Sequence, residues 1–258
     1  LVMNDPNDLF TAMGTATFGG TTSLTDGIIR LHGNLIQNFN ANAIQPNGTL
    51  FEFVGSTEQH VNFQQPNNTT SFLLNADLHN PAGVTFDTAM FINGLLKLLP
   101  NAVLNQAAGQ ITSYSTQLPD IADGTYNIAE THIIGPNVAM VKDFILPQAT
   151  NNLQINSDNT LNLNGHHLSV GGTFNIPTTN GANHHLVMND PNDLFTAMGT
   201  ATFSGTTSLT AGIIRLHGNL IQNFNANALQ PNGTLFEFVG STEQHVDFQH
   251  PNNTTSFL

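Results

Sequence analysis

Apolar and polar residues alternate with a period of two along most of this chain. Asn152-Leu153-Gln154-Ile155-Asn156 and Thr160-Leu161-Asn162-Leu163-Asn164 alternate cleanly, which marks strands with one buried face. Gly27 to Ile36 places Ile29, Leu31 and Leu35 on one parity and Arg30, His32 and Asn34 on the other. Thr49 to Val54 sets Phe51 and Phe53 against Leu50, Glu52 and Val54. His167-Leu168-Ser169-Val170, Thr173-Phe174-Asn175-Ile176, Gly124 to Ile128 and Val138 to Val141 also read as strands. Between them stand turn signals: Asp5-Pro6-Asn7-Asp8, Asn47-Gly48, Pro66-Asn67-Asn68, Asn80-Pro81-Ala82-Gly83, Gly135-Pro136-Asn137, Asn164-Gly165 and Asn180-Gly181. Glycine and asparagine tolerate positive φ, and proline ends ladders. Short strands with turns about every 8–12 residues predict an all-β protein. The one helical candidate, Met90–Gln106, is broken by Asn93-Gly94 and Pro100 into pieces too short for a stable helix.

A second periodicity is far longer. Residues 1–73 return as residues 186–258, an offset of 185, with 68 identities. The five differences are Gly19/Ser204, Asp26/Ala211, Ile44/Leu229, Asn62/Asp247 and Gln65/His250. Divergent repeats keep core and turn residues while the surface drifts; here the surface is kept as well. The expected organisation is one full repeat, residues 1–185, followed by the first 73 residues of the next, 186–258. The chain then reads as a window of a longer tandem array. That organisation favours a structural or adhesive role over a catalytic one.

Two all-β architectures meet this pattern: a β-solenoid, and an array of β-sandwich domains joined by linkers. No linker-like stretch recurs, there is no tryptophan, and no tyrosine-corner pattern is present, so the solenoid is favoured. At roughly 20–25 residues per coil, one period makes about eight coils. With strands about 4.8 Å apart, it advances about 40 Å.

Composition narrows the function classes. Charged residues are only 8% of the chain, and 4 basic residues against 17 acidic ones give a net charge of −13, which argues firmly against nucleic acid or an anionic membrane as partner. Asn, Thr, Ser and Gln instead supply the polar surface, which suits sheets where like charges on neighbouring strands would repel. There is no cysteine, so no disulfide is needed. No run approaches the roughly 18 apolar residues of a membrane span.

Several segments resemble the long, Gly/Asn/Thr-rich repetitive surface proteins of bacteria, in the style of autotransporter and adhesin passengers. They are Gly27–Leu35, Gly48–Val61, Ser71–Ala76, Gly83–Phe86, Asn93–Leu96 and Leu161–Phe174. The resemblance covers about two-thirds of the period and leaves residues 105–150 unmatched. It implies a right-handed parallel β-helix, secreted or on the cell surface, with adhesive or scaffolding roles. Its partners would be neighbouring repeats or further copies of itself, head-to-tail or lateral, or surface glycans and proteins. It carries over no catalytic residue.

The chemistry-bearing groups are few. The histidine pairs His166-His167 and His184-His185 are adjacent, so strand alternation sends their members to opposite faces and away from a shared ion. Glu58 and His60, with copies Glu243 and His245, share one strand face and would need a neighbouring coil to complete a metal site. Asn4-Asp5-Pro6-Asn7-Asp8 is oxygen-rich but lacks the spacing and bidentate glutamate of a calcium loop; a capped proline turn explains it equally. Asp120 and Asp123 are the closest carboxylates outside that turn, and Arg30, Lys97, Lys142 and Arg215 the only candidate bases. Asn67-Asn68-Thr69-Thr70 and Asn47-Gly48-Thr49 match the glycosylation sequon and also ordinary turn composition. Thr15-Ala16-Thr17 and Thr200-Ala201-Thr202 are the only threonine pairs suited to an ice-binding row. The expectation is a non-enzymatic protein without catalytic, cofactor or assigned metal residues, calcium being the one ion in view.

Overall fold

A strand whose inward side chains are apolar and whose next turn comes within a few residues can bury that face only by lying on another such strand. The computed structural model describes residues 1–38, 43–156, 159–177, 186–223 and 228–249. Among these it has thirty strands, no helix, and ladders that are all parallel. The fold is a β-solenoid; the sandwich alternative needs antiparallel sheets and does not hold. The chain divides into two compact units, Leu1–Ala129 and Glu130–Leu258.

In the first unit each coil runs through up to three short strands. Leu9–Ala12 begins a ladder continued by Ile28–Leu31, Leu50–Phe53, Asn75–Leu78 and Leu96–Leu98. Ala16–Phe18 begins a second, through Leu35–Gln37, Gln59–Phe63, Val84–Phe86, Val103–Gln106 and Thr125–Asn127. The third face is sparser. Val2–Met3 pairs with Ser23–Leu24, single bridges tie Leu24 to Pro46, Ile44 to Ser71 and Leu73 to Ile92, and Met90–Ile92 pairs with Ile111–Ser113. The second unit repeats the plan. Its ladders are Glu130–Ile133 to Val246–Phe248, Val138–Ala139 to Thr207–Leu209, and Phe144–Leu146 to Leu235–Phe238.

Coil length is not constant. Leu9 lies opposite Ile28, nineteen residues on, whereas Leu35 lies opposite Val61, twenty-six on. The copy reproduces both steps, with Leu194 opposite Ile213 and Leu220 opposite Val246. The 185/186 repeat junction is not a domain boundary: Leu186–Met188 is sandwiched between Leu161–Asn162 and Thr207–Leu209. Sequence copying sets the repeat, but packing is set coil by coil, so the two divisions need not coincide.

The alternation is realised in the core. Ile29, Leu31, Phe51, Phe53, Leu153 and Ile155 are buried, while Ile28, Arg30, Leu50, Glu52 and Gln154 face outward. Leu35 keeps the parity of Ile29 and Leu31 but belongs to the next strand, around the corner at residues 32–34. Met90–Gln106 makes three strands, with corners at Asn93-Gly94 and at Leu99 to Ala102, where Asn101 takes φ 67°. Large aromatics fill the interior: the Phe174 ring lies 4.5 Å from Phe195 and 5.6 Å from Phe203, which suits offset aromatic packing.

At one corner the coils approach so closely that only glycine fits. A Cβ on Gly33 would lie 2.4 Å from the Gly14 carbonyl carbon, and one on Gly199 would lie 2.4 Å from the Gly172 carbonyl oxygen. Gly14, the same position in the first copy, has nothing within 4 Å because no coil lies beneath it. Gly199→Ala should therefore cost about 1–3 kcal/mol in urea denaturation, the usual range for overpacking. Gly14→Ala should stay within about 0.5 kcal/mol.

Candidate functional site

The parallel register sets outward side chains in columns, so whatever chemistry the surface has is built from residues about twenty apart. The most charged column runs down the first ladder: Thr11, Arg30, Glu52, Asp77, Lys97 and, through a bridge, Asp120. Arg30 Nε donates to Glu52 Oε2 at 2.7 Å, and Arg215 repeats the bond to Glu237 at 2.8 Å. Partial burial holds the Asp77 carboxyl above its ordinary value, against the pull of Lys97 and His79. Three of the four candidate bases are thus placed: Arg30 and Arg215 in ion pairs, Lys97 between Asp77 and Asp120. Asp123 sits in an exposed corner instead of beside Asp120 in the column.

Glu58 and His60 do find partners on the neighbouring coil. Thr85 Oγ1 donates to Glu58 Oε1 at 2.6 Å, and His60 Nδ1 lies 2.8 Å from Asp87 Oδ1. That hydrogen bond, helped by the charges of Asp87 and Glu58, raises the His60 imidazole above its ordinary value. Around the Asp143 carboxylate, His166 Nδ1 lies 3.5 Å from Oδ1, and the His167 amide donates to the same oxygen at 3.0 Å. The two rings diverge as alternation requires: His167 Nε2 instead lies 3.0 Å from Thr196 Oγ1, and burial lowers its pKa. His184-His185 and Asn180-Gly181 lie outside the described residues. Among the described residues no three His, Asp or Glu side chains gather as a metal site would require.

One carboxylate oxygen each of Asp5 and Asp8 is engaged with backbone amides of the same turn. Asp8 Oδ2 accepts the Asn4 and Asp5 amides at 2.8 and 3.1 Å, and Asp5 Oδ1 accepts from the amide and side chain of Asn7. This is a capped turn, and the copy repeats it at Asp193 and Asp190. In the sequon segment, Asn67 Oδ1 accepts from the amides of Thr69 and Thr70 at 3.0 and 2.7 Å. The threonine row is one coil deep, because Thr17 lies opposite Ile36 and Thr202 opposite Ile221 and Asn175.

Among the polar residues that alternation did not single out is Gln59, fully buried. Its Nε2 donates to the Leu31 and Gly33 carbonyls at 3.0 and 2.7 Å, while its Oε1 accepts from the Gly55 amide and from Asn80 Nδ2. It therefore clamps three coils. Gln244 makes the corresponding bonds to Leu216, Gly218 and Gly240. Its position at the inward parity of Val61 and Phe63 was the available signal.

The geometry defines the chain as a parallel β-solenoid with hydrogen-bonded polar columns on its faces. No protein family, curated protein or solved structure matches it.

The two perturbed histidines carry opposite linkage. The raised His60 value contributes stability below the ordinary 6.5, lost as pH rises through the folded value. The lowered His167 value contributes stability above 6.5, lost as pH falls through that region. Proton-resolved NMR titration should place His60 above and His167 below that reference, and Asp87→Asn should bring His60 down alone. The reverse order would contradict the assigned contacts.

Proposed function

We propose that this chain is a non-catalytic, structural segment of an extracellular repeat protein, forming a fibre, stalk or adhesin shaft. One observation carries the reading. Where both copies of the 73-residue sequence are described, the strands of the first ladder pair in the same register, down to the same arginine–glutamate pair. Adding a repeat in this way adds length and surface without adding a new kind of site. The outward columns support the same reading: Arg30 pairs with Glu52 and Arg215 with Glu237 along the ladder, and Asn127 with Asn105 and Asn175 with Gln154 bond between coils. The mechanism is geometric. Each coil buries its inner face on the next and pairs its backbone above and below, so length scales with repeat number. A cell-surface setting fits a chain without cysteine, and bacteria are the source the resemblance implies.

Electron microscopy of a protein with three complete periods tests this, with and without calcium. The expected result is a uniform rod lengthening by about 40 Å per period, indifferent to calcium. Beads on a string, or rods that form only with calcium, would contradict it and favour a binding module for glycans or proteins.

A further inference from the structure

An asparagine followed by glycine is open to self-modification, because a glycine amide, with no Cβ beside it, can reach the asparagine side-chain carbonyl carbon. Five such pairs occur: Asn47-Gly48, Asn93-Gly94, Asn164-Gly165, Asn180-Gly181 and Asn232-Gly233. Asn180-Gly181 lies outside the described residues; the other four sit at corners, which hold them differently. Asn93 is half-buried, and its Nδ2 donates to the Asn68 carbonyl at 2.7 Å. Asn164 is exposed, yet both reacting groups are held. Its Nδ2 donates to the Met140 carbonyl at 3.1 Å, and the Gly165 amide donates to Asp193 Oδ1 at 2.6 Å. Asn47 and Asn232 are exposed with neither group engaged: among the described residues, their side chains and the Gly48 and Gly233 amides have no hydrogen-bond partner. Their main-chain amides alone are tied, to the Leu24 and Leu209 carbonyls at 2.7 Å.

We infer that Asn47 and Asn232 are self-modification sites, at which the folded chain loses ammonia and gains a carboxylate, while Asn93 and Asn164 are held intact by their hydrogen bonds. The Gly48 nitrogen attacks Asn47 Cγ and gives its proton to water. A nitrogen–carbon bond forms, the side-chain carbon–nitrogen bond breaks, and ammonia leaves. Water then opens the cyclic imide at either carbonyl. One opening gives aspartate, and the other gives isoaspartate, in which the main chain runs through the side-chain carbon. Nothing is oxidised or reduced, and water is the only co-reactant. Each event adds one negative charge to a chain that is already acidic. Isoaspartate also lengthens the main chain between two bonds to the neighbouring coil, from the Asn47 amide to Leu24 and from the Leu50 amide to Gly27. That corner has no slack, since even a Cβ on Gly48 would clash with the Thr25 carbonyl oxygen. Both copies carry the site, so the repeat multiplies it whatever the array binds.

The experiment incubates the intact folded chain in warm, mildly alkaline buffer and follows each asparagine by trypsin digestion and fragmentation mass spectrometry. Cleavage after Arg30, Lys142 and Arg215 puts Asn47, Asn164 and Asn232 in separate fragments, so the two copies are read apart. Asn47 and Asn232 should convert at least about tenfold faster than Asn164 and Asn93, whose hydrogen bonds must first break. In denaturant the four rates should converge, because every site is then the same Asn-Gly pair. Asp193→Ala frees the Gly165 amide and should speed Asn164, with Asn47 and Asn232 unchanged as the check that the coils stay folded. Asn164 converting as fast as Asn47 in the folded chain would overturn the assignment. So would a spread of rates that persists in denaturant, since sequence and not the corner would then be setting it.

Discussion

Backbone pairing between successive coils, about 4.8 Å apart and always parallel, is the constraint on which the rest of this structure depends. It places each residue directly over its counterpart in the coil below, so each position must tolerate its own neighbour. Inside, leucine, isoleucine and phenylalanine of successive coils are buried against one another, as Phe174 is against Phe195 and Phe203. At the tightest corner the column must be glycine, as at Gly172, Gly199 and Gly218, where carbonyls of one coil fill the space of a Cβ on the next. Outside, a charge must find its opposite one coil away or be avoided. Arg30 over Glu52 and Lys97 beside Asp77 are of the first kind. The scarcity of charge, 8% of the chain, is the second.

The same constraint accounts for the inward polar residues. A buried amide is costly unless every group is bonded. Gln59 meets that condition because three coils converge on it, with Leu31 and Gly33 accepting and Gly55 donating. Such a residue ties successive coils by hydrogen bonds that apolar stacking does not provide, and its repetition at Gln244 with the same distances shows that the local sequence dictates the arrangement.

The strands were legible from alternation alone, because burial on one side follows from period two: Leu153, Ile155, Phe51 and Phe53 all point inward as read. The corners were legible where Asn, Gly and Pro mark them, and at Asn93-Gly94 and Pro100 they kept an apolar run from being helix. Partners across coils were not legible. Coil length varies from nineteen residues at Leu9 to twenty-seven at His167, so no fixed spacing connects His60 to Asp87 or Asp143 to His167. The division at residue 129 was equally hidden, since it falls inside the repeat. Parity persists from Leu31 to Leu35 across the corner at residues 32–34, so alternation by itself does not mark that corner.

Identical sequence in different surroundings is the most direct probe of whether coil stacking governs this fold. Leu9–Ala12 ends its ladder, whereas Leu194–Ala197, with the same four residues, is paired on both sides. Residue-resolved amide hydrogen exchange by NMR compares them within one molecule, free of any difference in intrinsic exchange chemistry. The account predicts strong protection along Leu194–Ala197 and much faster exchange along Leu9–Ala12. Equal protection in the two segments would contradict it, because local sequence and not the neighbouring coil would then be setting the structure.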